Sequence, residues 1–344
     1  MASGELLRKL FQTYRRRDDQ GFVQVAERLI AEERAHHHNL LADELEQILS
    51  GTTTTRPSAG PMAHRFEALP KDRERDAVLL EVRQPTLSFA DVVLSEDNRL
   101  TLMEIVREYR HGDLFRTHGL RPRTRLLFFG PPGCGKTVSA AVVASELGLP
   151  VLYARFDAIV SSYLGETASN LRKVFDYASR GTWVLFFDEF DAIGKRRDNQ
   201  SEHGELKRVV NTFLQLLDGF SGESIVIAAT NHEAMLDSAL WRRFDEVLLF
   251  PLPTRDKIRA LLDVKLRGIR HAGVDLDAFA DDLQGHSHAD VERVCQDAMR
   301  DCLLGGSVTL RGEHMMRAIV RQHHRTQVLQ GVRQESRVHE EIGH

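Results

Sequence analysis

The sequence has few cysteines, little excess of either charge and no long apolar run, and each shortage excludes a class of protein. Three cysteines among 344 residues, Cys134, Cys295 and Cys302, form neither a disulfide framework nor a cysteine metal cluster. A net charge of -4 argues against a polyanion-binding surface, so we expect no nucleic-acid partner. No apolar run is long enough to span a bilayer and no signal peptide is visible, so we expect no membrane segment. A reducing cytoplasm is the simplest compartment for such a chain.

What is present is an ordinary globular composition, divided unevenly along the chain. The sequence is 42% hydrophobic and 28% charged. Residues 1–50 carry apolar side chains at intervals of three or four, which predicts a small helical N-terminal domain that recruits a substrate or a partner. The stretch SGTTTTRPSAGPMAH and the charged patch after it predict a linker over residues 51–85.

From residue 86 onward, near-continuous apolar runs alternate with helical stretches. Such alternation predicts an α/β fold with a parallel sheet covered on both faces by helices. The strand-like runs lie at 125–130, 150–156, 183–190, 224–230 and 246–251. After Pro251 we expect no further strands, so residues 86–252 form a large α/β subdomain, 253–330 a small helical subdomain and 331–344 a flexible tail.

The strongest local signal is GPPGCGKT, from Gly130 to Thr137, which fits GxxxxGK[ST] between a strand-like run and a helical stretch. Glycines let backbone N–H groups wrap around phosphates at a helix N-terminus. Lys136 would then reach the β- and γ-phosphates, and Thr137 would give an oxygen to Mg²⁺. Whether Cys134 is a redox switch or only a small residue stays open. The candidate nucleotide-binding residues here are Pro132, Gly133, Cys134, Gly135, Lys136, Thr137 and Val138.

Two adjacent carboxylates follow a second strand-like run, in WVLFFDEF. The apolar residues 184–187 predict a buried strand, and Asp188 and Glu189 come directly after it. At the carboxyl end of a strand beside the phosphate loop, Asp188 can hold Mg²⁺ and Glu189 can act as general base toward the attacking water. An acidic pair at a strand end is usually a solvated turn, but the phosphate loop upstream favours the catalytic interpretation.

Together these segments resemble the AAA subfamily of AAA+ ATPases, over about residues 86–305. FFGPPGCGKT, FFDEFDAIGKRRD and LLDGF are similar to segments of membrane-protease and microtubule-severing members. The resemblance implies a P-loop NTPase module, a parallel sheet with flanking helices, whose small helical subdomain is a lid. It further implies ATP and Mg²⁺ as cofactors and self-association into a homo-oligomeric ring, a hexamer. A single phosphate loop implies one ATPase ring rather than two stacked ones.

The resemblance also implies roles for residues outside the two motifs. Asn231, in AATN, matches the position that orients the lytic water. Adenine is expected near Asp91, Val92 and Val93, in FADVVL, and near the lid segment GHSHAD. The lid residues implied in binding are Gly285 and Ala289.

Arg242 and Arg243, in ALWRRFDEV, match the arginine-finger region, which acts on the nucleotide of the neighbouring subunit. Many members of the family separate the two arginines by a proline and a glycine, whereas here they are adjacent. Which one reaches the phosphate therefore stays open, and we prefer Arg243 because it begins RFD. Without the family context, both would be surface arginines in a polar loop.

The segment SSYLGE, residues 161–166, places an aromatic, an aliphatic residue and a glycine together in polar company. By resemblance, Tyr163, Leu164 and Gly165 form the first pore loop, and Arg196–Glu205 matches the second in position. An aromatic and an aliphatic side chain can hold an extended peptide of any sequence, because burial of apolar area does not depend on sequence. The alternative is that Tyr163 packs under the next helix.

An ATPase module identifies the nucleotide that is hydrolysed, but it does not identify the substrate on which the protein acts. Our first hypothesis is a ring that remodels or unfolds protein by threading polypeptide through a central pore. The second is a regulatory switch, in which ATP-driven assembly controls a separate enzyme such as a peptidase through the N-terminal domain. A nucleic-acid loader is the third, and the near-neutral charge counts against it.

Overall fold

The computed structural model describes residues 13, 21, 23–28, 31, 68–72, 75–160, 164–190, 203–231, 241–271 and 273–342. For residues 164, 203–208 and 329–342 only the backbone is described. The chain divides into two units, Met1–Arg65 and Phe66–His344. In the first unit the few described residues are helical, and the remainder of the predicted N-terminal domain lies outside the described residues.

The second unit is built on a six-stranded sheet with the order β1-β3-β4-β5-β2-β6. All neighbouring strands are parallel except β1 and β3, which pair antiparallel. The predicted α/β fold with a largely parallel sheet is therefore confirmed. The strands are β1 (Leu80–Arg83), β2 (Arg125–Phe129), β3 (Val151–Ala154), β4 (Val184–Phe187), β5 (Ile225–Thr230) and β6 (Glu246–Leu249).

Helices cover both faces of this sheet and create two cores. Alternate residues of β2 divide between the faces: Leu127 belongs to one core, and Leu126 and Phe128 belong to the other. The face of Leu126 packs against α1 (Glu96–Arg110) and α3 (Lys136–Leu147). The face of Leu127 packs against α5 (Leu164–Ser179) and α6 (His203–Asp218). Two short helices, α2 (Gly112–Thr117) and α4 (Phe156–Ile159), complete this subdomain.

Strand β1 places the start of the sheet earlier than the sequence predicts. Its Cα partners run from Leu80 opposite Ala154 to Arg83 opposite Val151, and Leu79 and Leu80 are buried in the core. The linker predicted over residues 51–85 is therefore wrong at its C-terminal end, because β1 occupies part of it. The prediction fails here because LEVR is short and half charged, so its alternation is too brief to separate from the charged patch before it.

The small subdomain has its own apolar core, made by α7 (Arg255–Leu266), α8 (Leu276–Asp282), α9 (His288–Leu304) and α10 (Gly312–Ile342). Two short strands, β7 (Arg270–His271) and β8 (Thr309–Leu310), pair in parallel, so the expectation of no further strands is wrong. The backbone of α10 is helical to Ile342, through most of the segment predicted as a flexible tail. Among the described residues, no helix combines the length and apolarity needed to cross a membrane.

Candidate active site

The phosphate loop connects the end of β2 to the start of α3, and its shape depends on three glycines. Gly130, Gly133 and Gly135 have φ values of 134°, 74° and 94°, in the region that disfavours residues with a side chain. Space is equally restrictive, because a Cβ on Gly130 would lie 2.3 Å from the carbonyl oxygen of Phe250. Pro132, Gly133, Thr137 and Val138 are exposed, so the loop is open to a ligand.

Lys136 is the first residue of α3 and is only 6% exposed. Its Nζ donates hydrogen bonds to the carbonyl oxygens of Gly130, at 2.7 Å, and Pro131, at 2.9 Å. A buried ammonium group is costly to leave unpaired, and here the carbonyl oxygens of the loop hold it. The positive charge therefore lies inside the loop whose N–H groups would face the phosphates.

Thr137 and Asp188 meet although they are 51 residues apart in the sequence. The Thr137 hydroxyl donates to Asp188 Oδ2 at 2.7 Å, and the Glu189 backbone N–H donates to Asp188 Oδ1 at 2.9 Å. The pair supplies hard oxygen donors, which fit Mg²⁺. No three His, Cys, Asp or Glu side chains converge as a metal cage anywhere in the described ranges.

The sheet order brings the other predicted catalytic residues to the same edge. Strand β5 lies between β4 and β2 with all three parallel, so Asp188, Glu189, Asn231 and the phosphate loop all follow carboxyl ends of adjacent strands. Glu189 is exposed and has a φ of 50°, whereas Asn231 is half-buried directly after β5. Nucleotides bind at this edge in open parallel sheets.

The segment from Asp91 to Val93 lies between the two subdomains. Val92 packs against the core under α1 and α3, whereas Val93 packs against the small subdomain. Asp91 accepts hydrogen bonds from the backbone N–H and hydroxyl of Ser88, at 3.0 and 2.8 Å, and pairs with Arg267 of the small subdomain. These donors, the Ser88 backbone first, lower the pKa of Asp91 to about 2.

The small subdomain also touches the phosphate loop directly. The Ala289 N–H donates to the Gly133 carbonyl oxygen at 3.0 Å, and Gly285 adopts a φ of 82° just before α9. Ser287 caps α9 through a reciprocal pair of hydrogen bonds with Asp290. This capping box was not anticipated as part of the site, although S-x-x-D before an apolar helix is its sequence signal.

His286 and His288 lie on either side of Ser287, and the sequence assigns them no chemistry. The Nδ1 atoms of His286 and His288 are buried and have no hydrogen-bond partner in the structure. Burial lowers the pKa of His288, and a backbone contact with Val93 opposes the shift. The imidazole is therefore held neutral beside the segment that the sequence assigns to adenine.

Cys134 lies inside the phosphate loop but points into the core, where it is 2% exposed. Burial raises the pKa of its thiol, although nearby Lys136 opposes the shift. A buried, protonated thiol is a poor nucleophile, so the environment favours the interpretation as a small core residue over a redox switch.

The two finger candidates lie just before β6. Arg242 is exposed, whereas Arg243 is half-buried and its guanidinium pairs with Asp218 at the end of α6. Neither approaches the phosphate loop of its own chain in any contact that the described residues make. Arg243, which the sequence favours, is thus engaged within its own subunit.

The first pore-loop candidate is only partly described. Tyr163 lies outside the described residues, as do residues 196–202 of the second pore-loop region. Leu164 begins α5, and Gly165 is exposed in its first turn with open space around it.

Comparison with known proteins gives a consistent set of relatives. The family described as ATPase family associated with various cellular activities (AAA) matches residues 126–252. The chain is 42% identical over 304 residues to an uncharacterized AAA family ATPase of Sinorhizobium fredii, covering 88% of this chain and 90% of that protein.

Two further relatives carry names that describe an activity. The chain is 37% identical over 223 residues to the ATP-dependent zinc metalloprotease FtsH 1 of Sphaerobacter thermophilus, covering 62% of this chain and 34% of that protein. It is 34% identical over 242 residues to the proteasome-activating nucleotidase of Thermococcus onnurineus, covering 67% of this chain and 61% of that protein. The chain thus spans about a third of the metalloprotease and less than two thirds of the nucleotidase.

Proposed function

The chain belongs to the AAA family of ATPases, and from that premise we propose that it forms a ring which hydrolyses ATP to pull polypeptide through a central pore. We propose a hexameric ring, with each nucleotide lying between neighbouring subunits. A cytoplasmic location is part of the proposal and rests on the scarcity of cysteine.

The observation that carries the catalytic part is the hydrogen bond from Thr137 to Asp188. It joins the phosphate loop to the carboxyl end of β4 and leaves two hard oxygen donors side by side. A bound Mg²⁺ would neutralise the charge that develops on the transferring phosphoryl group. Lys136 is placed to exchange the carbonyl oxygens of Gly130 and Pro131 for phosphate oxygens.

Glu189 is the general base of this proposal. Its carboxylate is exposed at the same strand end as Asp188, and Asn231 follows the neighbouring strand. Asp188 is held by hydrogen bonds, whereas Glu189 is exposed and has a left-handed backbone conformation. The two carboxylates therefore take different roles, with Asp188 positioning the metal and Glu189 accepting the proton of the attacking water.

We propose that Arg242 is the residue that reaches the nucleotide of a neighbouring subunit. A guanidinium near the γ-phosphate stabilises transition-state charge and is worth about 10³–10⁵ in rate where it has been dissected. Arg242 is exposed, and Arg243 is already paired with Asp218. This reverses the preference for Arg243 drawn from the sequence.

The polypeptide part of the proposal rests on Tyr163-Leu164-Gly165 and on the names of two relatives. The triplet follows the helix Phe156–Ile159 and leads into α5, on the connection that leaves strand β3. One relative is named an ATP-dependent zinc metalloprotease and another a proteasome-activating nucleotidase. We propose that residues 1–50 recruit the polypeptide substrate or a partner enzyme such as a peptidase.

The test measures ATP hydrolysis and substrate unfolding separately. The probe is a folded fluorescent protein with an unstructured tail, and loss of fluorescence with ATP reports unfolding. Tyr163→Ala should keep ATP hydrolysis within about twofold of wild type and abolish unfolding, because the loss removes only the apolar grip on the peptide. Leu120→Ala removes an apolar side chain elsewhere on the surface, at 58% exposure, and should leave both activities intact.

Two outcomes would contradict this proposal. Equal loss of hydrolysis and unfolding in Tyr163→Ala would assign Tyr163 to packing under α5. A wild-type protein that hydrolyses ATP without unfolding any tailed substrate, and whose trapped Glu189→Gln form retains one folded enzyme in stoichiometric amount, would favour the regulatory switch.

A further inference from the structure

Tyr153 reaches the active site from a strand that carries none of the predicted catalytic residues. It lies on β3 opposite Phe186 of β4, two residues before Asp188, and its ring meets the Phe186 ring edge-on at 5.7 Å. Its hydroxyl is 3.2 Å from Asp188 Oδ2 and donates to it. The parallel register of β3 and β4 thus places the Tyr153 hydroxyl beside Asp188, the carboxylate that accepts a hydrogen bond from Thr137.

Asp188 consequently accepts three hydrogen bonds from the protein. Thr137 and Tyr153 both donate to Oδ2, at 2.7 and 3.2 Å, and the Glu189 N–H donates to Oδ1 at 2.9 Å. A carboxylate offers about four lone-pair sites, so little rotational freedom remains. A group held in this way needs no reorientation when a metal with its water shell arrives.

Arg83 fixes the ring that carries this hydroxyl. Its guanidinium carbon lies 4.2 Å from the centre of the Tyr153 ring, which is a cation–π contact. The same guanidinium forms two hydrogen bonds to Glu81, at 2.8 and 2.9 Å, and so presents a fixed face to the ring. Both residues lie on the edge strand β1, and with Tyr153, Asp188 and Glu189 they line an open cleft of about 510 Å³.

We propose that Tyr153 is a positioning residue of the ATPase site, which orients Asp188 for Mg²⁺ and is itself held in place by Arg83. The proposal rests on the proposed catalytic role of Asp188. It makes β1 part of the active-site architecture, since the only guanidinium that contacts this ring in the described residues comes from that strand.

The test is Tyr153→Phe, which deletes the hydroxyl and keeps the ring under Arg83. ATP hydrolysis is measured at saturating ATP while the Mg²⁺ concentration is varied, and nucleotide binding is measured separately with a fluorescent ATP analogue in EDTA. We expect the Mg²⁺ concentration at half-maximal rate to rise about threefold to tenfold, the loss expected for one hydrogen bond of ordinary net strength. Analogue binding without metal should not change.

A matched control deletes a different tyrosine hydroxyl. Tyr109 donates to the Glu223 carbonyl oxygen at 2.7 Å, remote from Asp188 in the bonding network, so Tyr109→Phe should leave the Mg²⁺ dependence as in wild type. Arg83→Met, which keeps a long side chain without the charge, should shift the Mg²⁺ dependence in the same direction as Tyr153→Phe and by less.

The outcomes separate this proposal from the function on which it rests. If Tyr153→Phe hydrolyses ATP with an unchanged Mg²⁺ dependence, the positioning role is wrong. If it loses thermal stability and metal-free binding together, with the Mg²⁺ dependence intact, the tyrosine is structural and the proposal is again wrong. If Asp188→Asn leaves the Mg²⁺ dependence of the otherwise wild-type protein unchanged, the assigned role of Asp188 fails first.

Discussion

At the scale of single residues, the backbone of Glu189 is held in a conformation that does not suit its side chain. Its φ of 50° lies in the left-handed region, where a non-glycine residue typically costs about 1–2 kcal/mol. Two hydrogen bonds of the adjacent backbone hold it there. The Phe190 N–H donates to the Ala229 carbonyl oxygen at 2.8 Å, and the Glu189 N–H donates to Asp188. The residue is exposed in this conformation, directly after β4.

Two substitutions at Glu189 should separate chemistry from stability. Glu189→Gln keeps the shape and strain but cannot accept a proton, so we expect ATP binding near wild type and a fall in hydrolysis of at least about 100-fold. Glu189→Gly should lose hydrolysis equally and show an unchanged or higher melting temperature, because glycine tolerates this φ. Phosphate release, fluorescent-ATP binding and thermal melts measure the three quantities.

Either of two results would refute this assignment. Normal hydrolysis by Glu189→Gln would show that Glu189 is not the base. Marked destabilisation by Glu189→Gly would show that the side chain, rather than the turn, stabilises this region.

The residues of the phosphate loop and the acidic pair could be predicted from the sequence because each sits in a short, continuous pattern. Lys136, Thr137 and Asp188 are where the motifs indicate, and Thr137 meets Asp188 directly. Tyr153 could not be found in the same way. Its contact with Asp188 depends on the register of β3 against β4, which a single sequence does not specify.

At the scale of elements, the N-terminus of α9 rests on the phosphate loop, and Gly133 makes that contact possible. A Cβ on Gly133 would lie 2.7 Å from Ser287 Oγ and 3.0 Å from Ala289 Cβ. Ser287 cannot easily move, since its hydroxyl donates to Asp290 at 2.6 Å and accepts from the Asp290 N–H at 3.2 Å. A side chain here must therefore displace either the loop or the small subdomain.

Gly133→Ala should weaken ATP binding by at least about tenfold, because it adds a steric clash to the strain of a positive φ. Gly148→Ala is the matched control: Gly148 ends α3 with a φ of 67° and has nothing within 4 Å of its added Cβ. We expect Gly148→Ala to lower the melting temperature by a few degrees and to leave ATP affinity unchanged. Equal ATP affinities in the two variants would contradict the role of the loop–helix contact.

The strands that lie in continuous apolar runs could be predicted, and the half-charged β1 and the two-residue strands could not. Strands β2, β4 and β5 are buried apolar runs, and each lies within its predicted range. Strands β7 and β8 have two residues each, which is too short for any periodicity. They pair only because the helices between them return the chain to the same place.

At the scale of the whole molecule, one of the two sheet cores in the unit Phe66–His344 meets the core of the small subdomain beside the phosphate loop. Val92 and Val93 pack against different cores, Asp91 pairs with Arg267, and Gly133 accepts a hydrogen bond from Ala289. A nucleotide bound in this place would contact both subdomains, so its presence or hydrolysis can change how they pack. In the proposed ring, this coupling would let ATP hydrolysis move one subunit relative to the next.

The proposed sharing of each site between subunits leads to a complementation experiment. Arg242→Ala retains its own Glu189 but lacks the finger for its neighbour, and Glu189→Gln retains the finger but lacks the base. Each alone should hydrolyse ATP at least about 100-fold more slowly than wild type. When mixed and allowed to exchange subunits, they should regain activity, because some sites then combine an intact Glu189 with an intact Arg242.

Two further mixtures complete the experiment and decide between the arginines. Glu189→Gln mixed with Asp188→Ala should show no recovery, since both defects lie on the same side of the shared site. Arg243→Ala should resemble Asp218→Ala, with a lower melting temperature and retained hydrolysis, because the two residues pair within one subunit. Recovery with Arg243→Ala instead of Arg242→Ala would assign the finger to Arg243. No recovery with either would contradict a shared site, because two inactive subunits can complement each other only if one active site takes residues from both.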